Sequence, residues 1–242
     1  MTDSEINTRL IKRYLRAQSV YGRTSLKMGM HWKQLSWRFV VSFALFLKRF
    51  FDIFASGLFL LVFSPLFLLI AIVIKMEDGG TVFFPQTRVG RFGREFKMWK
   101  FRSMCLNAED KMKEMIAKNQ HKDGVTFKMK NDPRVTKIGK WLRKFSFDEL
   151  PQFYNVLNGD MSLVGPRPPV PREVALYTLA DRRRLAIAPG ITCFWQIGGR
   201  SEIDFSGQVQ LDVSYIESQS FWLDVKILLK TIPAVLLGKG AY

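Results

Sequence analysis

The chain has 242 residues, 48% of them hydrophobic and 14% aromatic, and it carries 37 Lys plus Arg against 21 Asp plus Glu, a formal charge of +16. That content supports a packed core with room for a membrane element and excludes a disordered tail, while the charge calls for an anionic partner: nucleic acid, a lipid headgroup surface or a phosphate-rich substrate. Only Cys105 and Cys193 occur, far apart and without companion His ligands, which indicates neither a disulfide framework nor a zinc site and fits a reducing cytosolic face.

Residues 1–37 mix cations with Leu, Ile, Tyr and Trp in weak helical periodicity and read as a basic N-terminal extension lying on a surface, without chemistry of its own. Residues 38–76 hold the membrane element. Within them Ile53–Ile74 is an uncharged apolar run, roughly 33 Å long as straight helix and so able to cross the hydrocarbon. Yet Arg38, Lys48 and Arg49 precede it and Lys75, Arg88, Arg91 and Arg94 follow it, so the flanking cations favour neither direction and both ends read as cytoplasmic. Ser64-Pro65 supplies the means of return, because Pro65 removes one helical hydrogen bond and Ser64 offers its hydroxyl to a freed carbonyl. The run is expected to enter one leaflet, bend and come back out; a kinked transmembrane helix is the alternative. The polar, basic first 38 residues place it too far from the N-terminus for a cleavable secretory signal, so the anchor is expected to stay.

Residues 77–242 read as a catalytic domain on the cytosolic face. Asp78-Gly79-Gly80 signals a turn, and the segment from Thr81 to Met104 predicts short strands joined around Gly90 and Gly93, a β-hairpin. Its second half alternates Lys97, Lys100 and Arg102 with apolar bulk, which is expected to present those cations on one strand face, although any half-exposed strand shows such alternation. Asn107 to Asn119 predicts an ordinary solvated helix. Val225 to Leu237, behind Phe221-Trp222-Leu223, suits a helix at the membrane interface and equally a core-packed one. The fold class is α+β, mainly helical, with one short hairpin and a re-entrant helix broken at Ser64-Pro65.

The densest information lies between Gly139 and Pro168. Ser146-Phe147-Asp148-Glu149 has the form of a capping box, and Leu150, Phe153, Tyr154 and Leu157 then supply an apolar face until Asn158-Gly159 stops the helix. Asp148 and Glu149 are therefore expected in the first helical turn, where Pro151 is also tolerated. An acidic pair there can simply cap a helix. Here Arg143 and Lys144 precede it and Arg167 follows, so a helix end and guanidinium groups are expected to lower the carboxyl pKa values, keep a nucleophile charged and screen it from a phosphate. If the cationic strand face meets the helix start, the result is a diphosphate site. The short glycine pairs are wrongly placed for a dinucleotide or Walker loop, and neither His31 nor His121 sits beside a Ser or Cys nucleophile signature. No nucleic-acid recognition motif explains the charge.

At these residues the chain resembles the bacterial sugar transferases, the monotopic phosphoglycosyl transferases. The resemblance runs from about Lys48 to Ile232 through ordered blocks: the run with Ser64-Pro65, then Lys100-Phe101-Arg102-Ser103-Met104, Asp132-Pro133-Arg134-Val135-Thr136, Asp148-Glu149-Leu150-Pro151-Gln152, the stretch from Asn158 to Pro168, and Pro189-Gly190-Ile191-Thr192 leading to Trp195-Gln196. Two departures, Cys193 where the family usually has Gly and Gly198 where Ser is common, bear on loop packing and sugar choice. The chain resembles the small or intermediate members rather than those with several membrane spans.

The resemblance implies transfer of a sugar-1-phosphate from a nucleoside diphosphate sugar, by family expectation a UDP-sugar, to undecaprenyl phosphate with release of UMP, as the first membrane step of glycan or exopolysaccharide assembly. By the same resemblance Asp148 is the nucleophile that forms an aspartyl phosphosugar, Glu149 helps position the metal or assists proton handling at the acceptor, the pair holds Mg²⁺, and Lys100, Arg102, Arg143, Arg167 and Arg200 bind substrate phosphates. It places the protein in the bacterial inner membrane, at its cytoplasmic face and among membrane lipids, without nucleic acid; a homo-oligomer is compatible with it. The reading from another class is a catalytically silent scaffold for a polysaccharide assembly complex.

Overall fold

The computed structural model describes residues 3–108, 110–111, 132–198 and 203–236. The chain divides into two compact units, Met1–Lys48 and Arg49–Tyr242. In the first, α1 covers Asp3–Ala17, and the Ser19 hydroxyl accepts the Gly22 amide at 3.0 Å to start α2, which spans Val20–Val62 and continues into the second unit.

In the second unit α2 gives way to α3 (Ser64–Asp78) at a bend of 61°. The cause is local. Pro65 has no amide to offer Leu61, four residues back, and the Ser64 hydroxyl donates to that same Leu61 carbonyl at 2.8 Å. The bend and its hydrogen bond match the sequence expectation. Among the described residues no single helix is long and apolar enough to cross a membrane; α2 and α3 pass that test of length and composition only as a bent pair. Gly79 closes α3 in the left-handed region, φ 71°, with its amide on the Lys75 carbonyl.

The expected hairpin is present. Strand β1 (Phe83–Val89) pairs antiparallel with β2 (Glu95–Phe101), Phe83 opposite Phe101 and Val89 opposite Glu95. The helices that follow are α4 (Lys137–Lys144) and α5 (Gln152–Asn158), then α6 (Pro171–Val174), α7 (Phe194–Gly198), α8 (Phe205–Ser218) and α9 (Phe221–Leu236). A second, parallel two-stranded sheet joins β3 (Ser162–Val164) to β4 (Gly190–Thr192). Sequence reading missed it because three-residue strands carry too little alternation to show. The solvated helix expected over 107–119 falls almost wholly outside the described residues.

Two apolar cores result. Ile70 and Ile74 of α3 meet Phe101 and Leu142, with Phe147 and Leu150 packed against them. Met98, Val156, Met161, Leu163, Val164, Tyr215 and Ile227 form the other, with Phe153 packed against it. The segment 147–156 thus has an apolar anchor in each core, each buried side chain contributing about 1.5–3 kcal/mol, and the two acidic residues between the anchors are held in place by both. Helix α9 buries Ile227 in the second core while Trp222, Leu229 and Ile232 stay exposed on its other side.

Candidate active site

Asp148 and Glu149 lie in a single 3₁₀ turn, Phe147–Glu149, and not in the first turn of an α-helix. The expected capping box fails because Ser146 is left-handed, φ 56° and ψ 23°, and its hydroxyl makes no capping bond. Helix α5 starts only at Gln152, after Pro151, and ends as expected at Asn158 with Gly159 left-handed at φ 89°. Asn155 binds α5 to the hairpin: its Oδ1 accepts the Trp99 amide at 2.9 Å and its Nδ2 donates to the Lys97 carbonyl at 2.7 Å. Arg49 donates to the Val156 and Leu157 carbonyls at 2.6 and 2.8 Å, and Phe59 stacks on Phe153 with centroids 3.9 Å apart. The dyad segment is therefore held by the hairpin on one side and by the end of α2 on another.

Lys100 comes to the dyad from β2, its Nζ 2.7 Å from Glu149 Oε1, the two side chains 19% and 30% exposed. Lys97 and Arg102 do not join it. Alternation along β2 sends Lys97 to the opposite face, where it donates to Thr87 Oγ1 at 2.8 Å. Arg102 forms an ion pair with Asp78 and donates through Nε to the Thr81 carbonyl at 2.6 Å, tying the hairpin base to the end of α3. Arg143, in the last turn of α4, is half-buried and acts on Asp148 through its charge. Arg167 sits in the segment after β3, its Nη1 3.2 Å from Glu173 Oε2. That segment is placed by a backbone contact that no side chain permits: a Cβ on Gly190 would lie 2.0 Å from the Gly165 amide nitrogen. Arg200 lies outside the described residues.

Arg88 was not among the sequence candidates. It is buried, donates to the Pro168 carbonyl at 2.8 Å, and holds Gln86 Oε1 with Nε and Nη2 at 3.1 and 2.7 Å. The Val89 amide adds a bond to the Pro169 carbonyl at 2.9 Å, so the end of β1 fastens the segment that carries Arg167. The one sequence hint was Gln86, two residues earlier on the same strand face. Burial, reinforced by the like charge of Arg167, pulls the Arg88 guanidinium down to about 9, against the opposing pull of Glu173 and Glu149.

The two carboxyls are driven apart. Asp148 is 8% exposed, and burial pushes it up to about 6; Lys100 and Arg143 pull against the rise and Glu149 adds to it. Burial also pushes Glu149 up, but the charge and hydrogen bond of Lys100, backed by Arg88 and Arg167, outweigh it and hold that carboxyl below its ordinary value. The sequence expectation that both would be lowered is thus corrected for Asp148. It lies in a 3₁₀ turn and not in the first turn of an α-helix, and desolvation exceeds what the cations return. Glu149 is a fixed anion, while Asp148 is a carboxylate at neutral pH with raised basicity, suited to attack.

A carboxyl pair of this kind, with Lys100 and Arg143 acting on Asp148 and with Lys100, Arg88 and Arg167 acting on Glu149, sets a basic carboxylate beside cations of the type that hold phosphate oxygens. The model of the bacterial sugar transferase family matches residues 43–238. Galactosyl transferase CpsE of Streptococcus agalactiae serotype III is 51% identical over 80% of this chain and 43% of its own length. The exopolysaccharide production protein ExoY of Rhizobium meliloti is 44% identical over 81% of this chain and 88% of its own. An undecaprenyl-phosphate galactose phosphotransferase of Salmonella typhimurium is 43% identical over 81% of this chain and 42% of its own. The chain belongs to the bacterial sugar transferase family, and it spans less than half the length of the first and third of these relatives.

Proposed function

We propose that the protein transfers a sugar-1-phosphate from a UDP-sugar to undecaprenyl phosphate, releasing UMP, as the first membrane step of glycan or exopolysaccharide assembly at the cytoplasmic face of the bacterial inner membrane. The observation that carries the reading is the divided dyad, Asp148 raised and Glu149 held anionic by Lys100, in a chain that matches the family throughout the site. In the first step an Asp148 oxygen attacks the sugar-bearing phosphorus, the bond to the nucleotide phosphate breaks, and UMP leaves. In the second, an oxygen of undecaprenyl phosphate attacks the same phosphorus and the carboxylate is released. Arg143 and Arg167 orient the diphosphate by charge and fork geometry, Lys100 keeps the pair ionised, and Arg88 fixes the segment on which Arg167 rides. The bent pair α2–α3 enters and leaves one leaflet, and the exposed apolar side of α9 rests at the interface, which puts the site at the depth of a lipid phosphate.

The donor set also fits Mg²⁺. Among the described residues no group of three or more His, Cys, Asp or Glu side chains could cage a metal, but Mg²⁺ is commonly held by one or two carboxylates with substrate phosphates and water, and Asp148 and Glu149 supply that pair. Bound there, it would neutralise charge on the diphosphate. The test is UMP release by purified protein with undecaprenyl phosphate, Mg²⁺ and each of UDP-galactose, UDP-glucose and their N-acetylamino counterparts. At least one donor should yield UMP with wild type and none with Asp148→Asn; no release from any donor, or equal release by the variant, refutes the reading.

A further inference from the structure

We infer that α1 is an in-plane anchor that docks on an anionic lipid surface, a role independent of the transferase reading. The sequence sets Ile6, Leu10 and Tyr14 at i, i+4 and i+8 with Ile11 and Leu15 alongside, and Arg9, Lys12, Arg13 and Arg16 at i, i+3, i+4 and i+7. Wound as the helix Asp3–Ala17, these spacings put apolar and cationic positions on opposite faces. All five apolar side chains are between 39% and 67% exposed, so none is buried among the described residues, and Arg9 and Lys12 are exposed as well. A continuous exposed apolar stripe marks an interaction face.

Charge decides the occupant. Four cations stand against Asp3 and Glu5 in α1, so the partner must offer an apolar layer beneath an anionic one, which is the composition of a leaflet containing anionic phospholipid. At 15 residues, about 22 Å, α1 is too short to cross the hydrocarbon and lies flat. It precedes residue 43, where the family match begins, and so adds an anchor outside the family's shared region.

The test uses the whole protein in vesicles, in a Cys105→Ser background with Cys193 buried, bearing a nitroxide at Leu10→Cys. In vesicles of phosphatidylcholine with phosphatidylglycerol the label should be open to dissolved oxygen and shielded from a polar relaxant, and a label at Lys12→Cys should show the reverse. Each cation removed, in Arg9→Gln and then Arg9→Gln with Lys12→Gln, should lower the surface-bound fraction about fivefold, as should high salt. Phosphatidylcholine alone should release the label to water. Water accessibility at position 10 in anionic vesicles overturns the inference. So does shielding from both relaxants, the mark of a protein contact, or shielding that persists unchanged without anionic lipid.

Discussion

Replacing Lys100 by Met keeps the aliphatic reach of the side chain and removes its charge. In the wild type Nζ lies 2.7 Å from Glu149 Oε1 with both side chains largely out of water, at 19% and 30% exposure. A hydrogen bond to a charged group contributes about 1.5–3 kcal/mol, and one pKa unit corresponds to about 1.4 kcal/mol, so Glu149 loses about one to two units of support for its ionised form. The sign follows from the direction of the Lys100 effect: it lowers both carboxyls, so its loss raises both. The acid limb of kcat/KM, set in the wild type by Asp148 at about 6, should move up by about one unit in Lys100→Met, from about 6 to about 7, because Lys100 lowers that carboxyl through its charge. The assay is the initial rate of UMP release at subsaturating donor across that pH range, since kcat/KM reports ionisations of the free enzyme. Lys100→Arg should return the limb toward the wild-type position. An acid limb that stays in place, or moves down, in the Met variant refutes the assignment of Lys100 as the group that keeps the dyad ionised.

Arg102→Met should cost about 2 kcal/mol in denaturant unfolding, because the Asp78 pair and the Thr81 bond are lost, and should leave kcat/KM of the folded enzyme within about twofold; a large loss of kcat/KM at unchanged stability would put this arginine on the substrate instead. Asn155→Ala strips the partners from the Trp99 amide and the Lys97 carbonyl and should destabilise by about 2–4 kcal/mol, read from the same unfolding curves. Ser64→Ala with Pro65→Ala returns an amide to the Leu61 carbonyl and should straighten the 61° bend. Single cysteines at Lys33 and Arg94 should then label from opposite sides of the membrane, whereas with the native Ser64-Pro65 they label from the same side.

Features encoded within a few residues were legible in the sequence. The bend follows from Pro65 and Leu61 standing four apart, the end of α5 from Gly159, and the hairpin from strand-forming runs joined at Gly90 and Gly93. Serine misled where one residue's backbone overruled its side chain: at Ser146 a φ of 56° cancelled a capping box that its sequence spelled out. The face of the β2 cations could have been counted correctly, since Lys97 and Lys100 are an odd number of residues apart and alternate sides. What no local pattern contained was depth. Asp148 rises because Phe147 and Leu150 are drawn into one core and Phe153 into the other. Arg88 is buried because Pro168, 80 residues away, returns to it. Both depend on tertiary packing, and together they determine which carboxyl is raised and how the segment carrying Arg167 is held.

Incubating the protein with isotopically labelled UDP-sugar in the absence of undecaprenyl phosphate, quenching in acid and mapping peptides by mass spectrometry asks whether Asp148 bonds to phosphorus. The account predicts a sugar-phosphate mass on the peptide containing Asp148, absent from Asp148→Asn, retained in Arg102→Met and discharged when undecaprenyl phosphate is added. Turnover of donor and acceptor to product with no adduct at Asp148, or an adduct on another side chain, contradicts it.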